Sequence, residues 1–306
     1  MTLPAPLDAL LAPPPVWPHD GVAAWWTRAA PILVRRPPAE AALVLGTVAD
    51  RLGWAFAGGY LAALNALLPD RDPSRTAALC ATEAAGVHPK AIATSFAAGV
   101  VDGEKTFVTL AGAAEDLLVL AKEGEDPEGR PQLVLVKVDA AAPGVARTTL
   151  PATPFVPEIE HASVRFDGAP ATRLPGDGWA DYVRPFRTVE DIHVHLSALA
   201  FAVAHGRRHD AVRPPVVEIA LAQITALSQL ATEDPSSPAT HLALAAVIDA
   251  SAGVIDGVDL DALPEDERAR WQRDRALFGV AGKARAQRRA RAWERLARAA
   301  GEAAAS

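Results

Sequence analysis

The sequence predicts an α+β protein with three regions in the order helical, β and helical. Residues 21–68 show helical periodicity, residues from about 79 to 182 form short aliphatic runs between turn-forming residues, and residues 186–306 return to helical periodicity. The predicted regions are an N-terminal helical region at 1–78, a middle antiparallel β-domain at 79–184 and a C-terminal four-helix bundle at 185–306. Half of the 306 residues are apolar, so the chain can bury a large core.

The N-terminal region begins with a proline-rich stretch, residues 1–20, that predicts an irregular arm. Further along, Trp54, Leu61 and Leu64 recur at helical spacing in "WAFAGGYLAALNALLP". Such spacing is typical of the buried face of a helix. We therefore expect a short helical region before the β-domain.

The middle region contains runs rich in β-branched and aliphatic residues, namely "TFVTLAG", "LLVLAK", "QLVLVKV" and "ASVRFDG". Gly, Pro and acidic clusters separate these runs, as expected of strands that are joined by turns. The segment "EGEDPEGRP" between Lys122 and Gln132 predicts an exposed hairpin connection. Together these features indicate a small antiparallel β-domain.

The C-terminal region consists of helical stretches that are separated by breaks such as "EDPSSP" and "GVIDGVDLDALP". Pro214 and Pro264 suit the starts of helices, and the acids at 265–267 suit a first turn. The pattern predicts a bundle of four helices at 187–207, 214–232, 238–252 and 264–300.

Composition argues against several classes of protein. The net charge of −7 and the pI near 5.6 argue against a nucleic-acid-binding protein, so we interpret the arginine-rich last helix as a solvated face. Cys80 is the single cysteine, which excludes an internal disulfide framework and any multi-cysteine metal site. The sequence starts without a signal-peptide pattern, and no run reaches the ~20 apolar residues that span a bilayer. We therefore expect a cytoplasmic protein without a membrane span.

Two histidine patterns have spacings that occur in metal sites. His205 and His209 have the four-residue spacing of two ligands on one helical face, but no third ligand is apparent. Glu190 and His193 match half of a di-iron site, which needs a second Glu-x-x-His and two further Glu residues. We therefore expect no metal site.

The stretch "LCATEAAGVHPKAIATSFAAGVVDGEKTFVTLAGAAEDLLVLAK", residues 79–122, resembles the flavin-binding region of the acyl-CoA dehydrogenase family. "PEIEHASVRFDGAPA" looks like the strand before the family's last β-turn, and "RWQRDRALFGVAGKARAQR" is similar to its Arg-Asp…Tyr-Glu-Gly segment. The resemblance covers roughly residues 50–300. It implies the family's fold, with a shortened N-terminal helical domain.

The resemblance also implies FAD as the cofactor and the oxidation of an acyl-CoA thioester by removal of an α-proton and a β-hydride. Thr82 and Thr109 match threonines that contact the flavin ring in the family, and Phe107 matches an aromatic residue against the ring. Without the resemblance, Thr109 is an ordinary strand threonine. The implied cofactor-binding residues are Ala81, Thr82, Phe107, Thr109, Ala281 and Gly282.

This reaction needs a carboxylate base, and two positions are known in the family. Most members carry Glu in the Tyr-Glu-Gly loop, where this chain has Ala281, whose backbone N–H would still polarise the thioester carbonyl. The isovaleryl- and long-chain-specific branch carries Glu near the start of the first bundle helix, where "VEDIHV" places Glu190. The resemblance therefore implies Glu190 as the base, with its pKa raised by burial. Alternatively, Glu190 is a first-turn acid that only interacts with the positive helix end.

By the same resemblance we expect a homodimer or homotetramer that acts on acyl-CoA or another acyl thioester and passes electrons to an electron-transferring flavoprotein or a similar acceptor. Several departures favour an alternative. "AAGVHP" replaces the family's Gly-Ser-Asp turn, and "RRHDAVRPPVVE" is a degenerate form of its pyrophosphate-binding sequence, although Arg207, Arg208 or Arg213 would still suit a phosphate. Asp191 also adds a negative charge beside an anionic substrate. The alternative is a flavin-poor, catalytically inactive relative that binds acyl thioesters or joins a full-length dehydrogenase as a partner subunit.

Overall fold

The computed structural model describes residues 7–305, so the first six residues of the predicted irregular arm lie outside the described residues. The order of helical, β and helical regions confirms the predicted α+β class. The N-terminal region contains α1 (Asp8–Leu11), α2 (Val22–Arg35), α3 (Pro38–Val48) and α4 (Leu52–Leu67). The middle region contains β1 (Ala77–Cys80), β2 (Ser95–Ala97), β3 (Val100–Thr109), β4 (Asp116–Glu125), β5 (Pro131–Asp139), β6 (Val145–Thr149) and β7 (His161–Arg173). The C-terminal region contains α5 (Arg184–Arg208), α6 (Pro214–Leu230), α7 (Pro238–Asp256), α8 (Glu265–Asp274) and α9 (Gly282–Ala305).

Helices α3 and α4 are apolar around most of their circumference because they are buried between α5 and the rest of the N-terminal region. Glycines allow this close approach. An added Cβ at Gly46 of α3 would lie 2.0 Å from the backbone oxygen of Ser197, and one at Gly59 of α4 would lie 2.7 Å from that of His193. Ser197 also donates a hydrogen bond of 2.7 Å to the backbone oxygen of Ala55. Helix α5 is therefore held against α3 and α4 almost backbone to backbone.

The strands form one sheet in which most neighbours are antiparallel. The predicted hairpin is confirmed, since β4 and β5 pair antiparallel across the connection at residues 126–130. The sheet is nevertheless mixed, whereas a purely antiparallel one was predicted. Strand β1 pairs parallel to β4, from Ala77 opposite Asp116 to Cys80 opposite Val119. Strands β2 and β3 lie between them in sequence, which gives the chain the long crossover that parallel pairing requires.

The predicted C-terminal helices are confirmed except that the last stretch is broken. Helix α8 ends at Asp274, a 3₁₀ segment spans Arg275–Gly279, and α9 begins at Gly282. The α-helix does not continue because Ala281 has a φ of +62°, which lies in the left-handed region. The bundle thus consists of α5, α6, α7 and α9, with α8 as a separate short helix.

Within residues 7–305, α7 is the one helix that is long and apolar enough to cross a bilayer by length and composition. In the structure it contacts α5, α6 and α9, and one third of its apolar window is buried. A core helix of a globular bundle passes the same test, so this finding alone is not evidence that α7 crosses a membrane.

The close packing of α3 on α5 makes a testable prediction. We expect Gly46→Ala to lower the free energy of unfolding by about 1–3 kcal/mol, because the new methyl group meets backbone atoms of α5 that have little room to move. Gly253→Ala in α7 is a matched control, since a Cβ there meets no atom within 4 Å and should stabilise the helix by about 0.5–1 kcal/mol. Urea denaturation of both variants measures the difference, and equal effects would contradict the packing.

Candidate active site

The β-domain carries a cavity of about 840 Å³ between the turn that follows β1 and the middle of β3. This volume lies within the range of about 300–1,000 Å³ that is usual for small-molecule sites. Thr82 and Phe107, both predicted cofactor-binding residues, line this cavity together with Lys105 and Ser163. Much of the remaining wall is alanine and glycine, which lets a ligand approach the backbone closely.

Phe107 has two unusual features. Its φ is +51°, which is rare for a bulky residue, and its side chain is 66% exposed. It lies where the pairing of β3 with β7 is irregular, between Lys105 and Val108. The backbone N–H of Thr106 donates a 2.8 Å hydrogen bond to the oxygen of Thr82, which holds the turn after β1 beside this bulge. Bulges and left-handed non-glycine residues are concentrated at ligand sites, so the conformation of Phe107 makes this wall a candidate binding surface.

A buried ion pair supports the wall of this cavity from inside. Lys105 Nζ lies 2.6 Å from Glu83 Oε1, and the Lys105 side chain is fully buried. Glu83 also accepts hydrogen bonds from the backbone N–H groups of Ala93 and Thr94. Burial would raise the pKa of Glu83, but the hydrogen bonds from Lys105 and the backbone outweigh it, so the pKa is lowered. Glu83 therefore stays charged and fixes the turn that carries Thr82.

The other predicted cofactor residues of the β-domain lie near the cavity but do not line it. Ala81 is buried and directly precedes Thr82. Thr109 is half-buried at the end of β3, opposite His161 of β7. The structure therefore brings Thr82 and Phe107 together and leaves the roles of Ala81 and Thr109 as predictions.

Glu190 is not a first-turn acid, so the alternative reading of this residue is wrong. Helix α5 begins at Arg184 and is preceded by a π-helical segment, Gly178–Val183, which places Glu190 well inside the helix. The influence of the positive helix end is confined to the first turn. The presence of Glu190 needs another explanation.

The carboxylate of Glu190 is half-buried and has neither a hydrogen-bond donor nor an ion-pair partner within the described residues. Burial raises the pKa of Glu190 to about 8, and the neighbouring charge of Asp191 adds to this effect. Arg288 and Arg187 act in the opposite direction but do not cancel it. A pKa near 8 is suited to a general base that works close to neutral pH.

Tyr60 connects the region of Glu190 to the β-domain. It is buried in α4, and its hydroxyl oxygen accepts a 2.8 Å hydrogen bond from the backbone N–H of Leu79 in β1. Its ring packs edge-on against Phe186 in the first turn of α5, with 5.9 Å between ring centroids. Burial raises the pKa of the Tyr60 hydroxyl, and the charge of Glu190 contributes to this shift. Tyr60 thus holds the start of α5 next to the strand that leads to Thr82.

Asp191 connects the start of α5 to the start of α9. Its carboxylate lies 3.2 Å from Arg285 and also pairs with Arg288. The expectation that Asp191 repels an anionic substrate is therefore wrong, because two guanidinium groups neutralise it. The same contacts hold the first turns of α9 beside the helix that carries Glu190.

Ala281 and Gly282 occupy the exposed entrance to α9. The backbone N–H of Ala281 donates no hydrogen bond within residues 7–305 and is free to meet a ligand. Gly282 lines a different cavity, of about 580 Å³, between α7 and α9. The structure therefore does not bring Gly282 to the cavity that contains Thr82 and Phe107.

The arginines considered for phosphate binding are mostly engaged elsewhere. Arg207 donates a 2.8 Å hydrogen bond to the backbone oxygen of Leu11, and Arg208 donates to those of Pro14 and Thr47. Burial lowers the pKa of Arg208 to about 10. These two residues hold the N-terminal arm against the bundle, which leaves the exposed Arg213 as the available guanidinium.

A cluster that the sequence analysis missed lies at the end of α5. His205 and His209 face Glu267 of α8, and one ligand atom from each residue lies within 4.8 Å of the others. The statement that no third ligand accompanies the two histidines is therefore wrong. No local pattern links Glu267 to these histidines, because it lies 58 residues beyond His209 in the chain and also suits the first turn of a helix.

No family model and no curated protein matches the chain. Solved structures do match it. Butyryl-CoA dehydrogenase from Megasphaera elsdenii has 12% identity and a TM-score of 0.66, with 91% of this chain and 90% of that chain covered. A putative acyl-CoA dehydrogenase from Mycobacterium smegmatis has 15% identity and a TM-score of 0.66, with 94% of this chain and 96% of that chain covered. The prolyl acyl carrier protein oxidase AnaB has 14% identity and a TM-score of 0.62, with 84% of this chain and 85% of that chain covered. The chain therefore has an acyl-CoA dehydrogenase-like fold.

Breaking the buried ion pair between Lys105 and Glu83 should strongly destabilise the fold. We expect Lys105→Met to lower the free energy of unfolding by about 3–5 kcal/mol, because Glu83 would remain buried without its cation. Lys122→Met is the matched control, since the pair of Lys122 with Glu125 is exposed and should cost less than about 1 kcal/mol. Urea denaturation measures both. If the additional change Glu83→Gln does not recover part of the loss, the assigned cause is wrong.

Proposed function

We propose that the protein is an FAD-dependent dehydrogenase that forms an α,β double bond in an acyl thioester, with Glu190 as the general base. The observation that carries this proposal is the half-buried, unpaired Glu190 carboxylate, whose pKa is raised to about 8. An acyl-CoA dehydrogenase-like fold supports it, since the similar solved structures include butyryl-CoA dehydrogenase. Burying an unpaired carboxylate destabilises the fold, so packing does not explain Glu190, whereas a role in chemistry does.

The residues of the β-domain cavity suit a flavin. Its volume, its alanine- and glycine-rich wall and the exposed ring of Phe107 offer a surface for a planar aromatic group, with Thr82 beside it as a polar contact. Thr109, Ala81, Ala281 and Gly282 remain predicted contacts. FAD, when bound, supplies the acceptor for the β-hydride.

The chain's own residues handle the proton and the thioester carbonyl. Glu190 removes the α-proton. Its raised pKa makes the carboxylate a stronger base and narrows the gap to the higher pKa of the α-carbon that must release the proton. In this proposal the N–H of Ala281, which donates no hydrogen bond among residues 7–305, polarises the thioester carbonyl. His193, one turn after Glu190, lines a further cavity of about 450 Å³ beneath the N-terminal helices, which we assign to the acyl group.

The thioester carrier is coenzyme A or an acyl carrier protein, and the electrons pass on to an electron-transferring flavoprotein or a similar acceptor. We also propose a homodimer or homotetramer, because closed symmetric assemblies are the usual form of such enzymes.

Glu190→Gln tests the assignment of the base. We expect kcat/KM on a panel of acyl-CoA substrates to fall about 10²–10⁴-fold, the usual contribution of a general base. In the unmodified protein, log kcat/KM should rise with pH up to about 8, since the base acts in its deprotonated form. Glu218→Gln, an exposed acid on α6, is the control and should be as active as the unmodified protein. Unchanged turnover in Glu190→Gln would end the assignment.

The same variant has a second readout that does not need activity. The folded pKa of Glu190, about 8, lies above its ordinary value of 4.5, so the unfolded chain releases this proton at a lower pH than the folded chain. The stability of the unmodified protein relative to Glu190→Gln should therefore fall as pH rises from 4.5 to 8 and level off above 8. Thermal unfolding across this range measures it. A constant difference would show that Glu190 is hydrated.

A second function is favoured by one specific observation, namely the engagement of Arg207 and Arg208 with the N-terminal arm. With these guanidinium groups occupied, fewer contacts are available for a pyrophosphate. In this case the protein is a flavin-poor relative that binds acyl thioesters or joins a full-length dehydrogenase as a partner subunit.

Flavin binding separates the two functions. We expect the freshly purified protein to show a flavin absorption band and to be bleached by substrate without oxygen. Phe107→Ala should weaken FAD binding by about 10-fold, because it removes an aromatic contact. Ile219→Ala, which removes another exposed apolar side chain on α6, should leave FAD binding unchanged. Colourless protein that takes up no added FAD would instead support the second function.

A further inference from the structure

We propose that His205, His209 and Glu267 bind a divalent transition-metal ion of the zinc type, and that the ion ties the last turn of α5 to the first turn of α8. The Nε2 atoms of His205 and His209 lie 3.3 Å and 2.8 Å from Glu267 Oε2. All three atoms lie within 4.8 Å of one another, so a single ion can reach each of them. This inference is independent of the proposed flavin chemistry.

The distances agree with the geometry of a tetrahedral site. Metal–ligand bonds of about 2.0–2.1 Å place two ligand atoms of a tetrahedron roughly 3.3 Å apart. The distance from His205 Nε2 to Glu267 Oε2 matches this value. The distance from His209 Nε2 to the same oxygen must lengthen by about half an ångström. His209 is only partly buried and has room for that movement. Two histidines four residues apart on one helix face supply the other edge of the tetrahedron.

Hydrogen bonds do not explain why these groups meet. Oε2 of Glu267 is buried and has no hydrogen-bond donor within the described residues, although two imidazole nitrogens lie near it. The N–H groups of the rings are therefore not directed at this oxygen. A buried carboxylate oxygen without a donor is costly, and a bound cation would compensate it.

The chemical state of the ligands also suits a metal. His205 is buried between the rings of Phe201 and Trp271, and this apolar environment favours the neutral imidazole that metal binding requires. The nearby arginines contact other atoms. Arg208 donates to the backbone oxygens of Pro14 and Thr47, and Arg270 lies 3.0 Å from Asp266 and 4.0 Å from Oε1 of Glu267. The other oxygen of Glu267, Oε2, is the one that lies beside the two imidazoles.

The surroundings favour a structural site over a catalytic one. His205 stacks on Trp271 with an angle of 6° between the rings and also on Phe201, which fixes its orientation. The cavity next to His205 and Glu267 measures about 10 Å³, close to the space of one water molecule. Two imidazoles and a carboxylate with one remaining position match the ligand preference of zinc. A bound ion would thus hold α8, whose last residue, Asp274, accepts a hydrogen bond from the backbone of Val156.

The test uses the full-length protein without a histidine tag, freed of metal with a chelator and titrated with Zn²⁺ in the presence of a chromophoric competitor. We compare the unmodified protein with His209→Ala and Glu267→Gln, and use His88→Ala, an exposed histidine of the β-domain, as the control. His209 and Glu267 are the better positions to change, because His205 is buried in the aromatic stack. Circular dichroism confirms that each variant is folded, and Co²⁺ replaces Zn²⁺ to report the coordination geometry.

We expect one Zn²⁺ per chain, a visible spectrum of tetrahedral Co²⁺ and a Tm that rises by about 5 °C at a free Zn²⁺ concentration of roughly 100 Kd. His209→Ala and Glu267→Gln should each bind Zn²⁺ at least about 100-fold more weakly, whereas His88→Ala should bind it normally. If the unmodified protein binds no Zn²⁺, or if both ligand variants bind it as tightly as the control, the proposal is wrong. If one variant does not fold, the other decides the outcome in the same way.

Discussion

The close contact of α5 with α3 and α4 is the constraint on which the rest of the structure depends. The backbone of α5 meets Gly46 and Gly59 with no space for a side chain, and Ser197 adds a hydrogen bond to α4. A helix that is held so closely cannot shift along its axis or rotate without a clash. The positions of Glu190 in the second turn of α5 and of His205 near its end are therefore fixed by packing in the middle of the helix.

Two adjacent carboxylates on α5 show how strongly the surroundings determine the role of a charge. Asp191 points towards α9, where two arginines pair with it, so it is a structural link between helices. Glu190 lies on a different side of the helix and has no such partner among residues 7–305, and its pKa is raised to about 8. Because neighbouring residues on a helix point about 100° apart, one chemical group serves packing and the other is available for chemistry.

The break between α8 and α9 connects two features that otherwise look separate. The left-handed residue Ala281 ends the continuity of the helix, so that α9 follows the bundle while α8 lies across the end of α5. This arrangement leaves the N–H of Ala281 without an acceptor among residues 7–305 and brings Glu267 to the two histidines at the end of α5. In a single continuous helix over 264–300, the N–H of Ala281 would instead bond to the helix backbone.

Local periodicity in the sequence was enough to determine the order of the three regions, the hairpin between β4 and β5 and, to within about one turn, the limits of α5, α6 and α7, because each of these depends on residues close together in the chain. The resemblance to a known flavin-binding motif predicts Thr82 and Phe107 as site residues, and both line one cavity in the structure. The parallel pairing of β1 with β4, the interior position of Glu190 and the meeting of Glu267 with His205 were decided only by the tertiary structure. These depend on contacts between distant segments, and no local pattern of residues encodes where such segments meet.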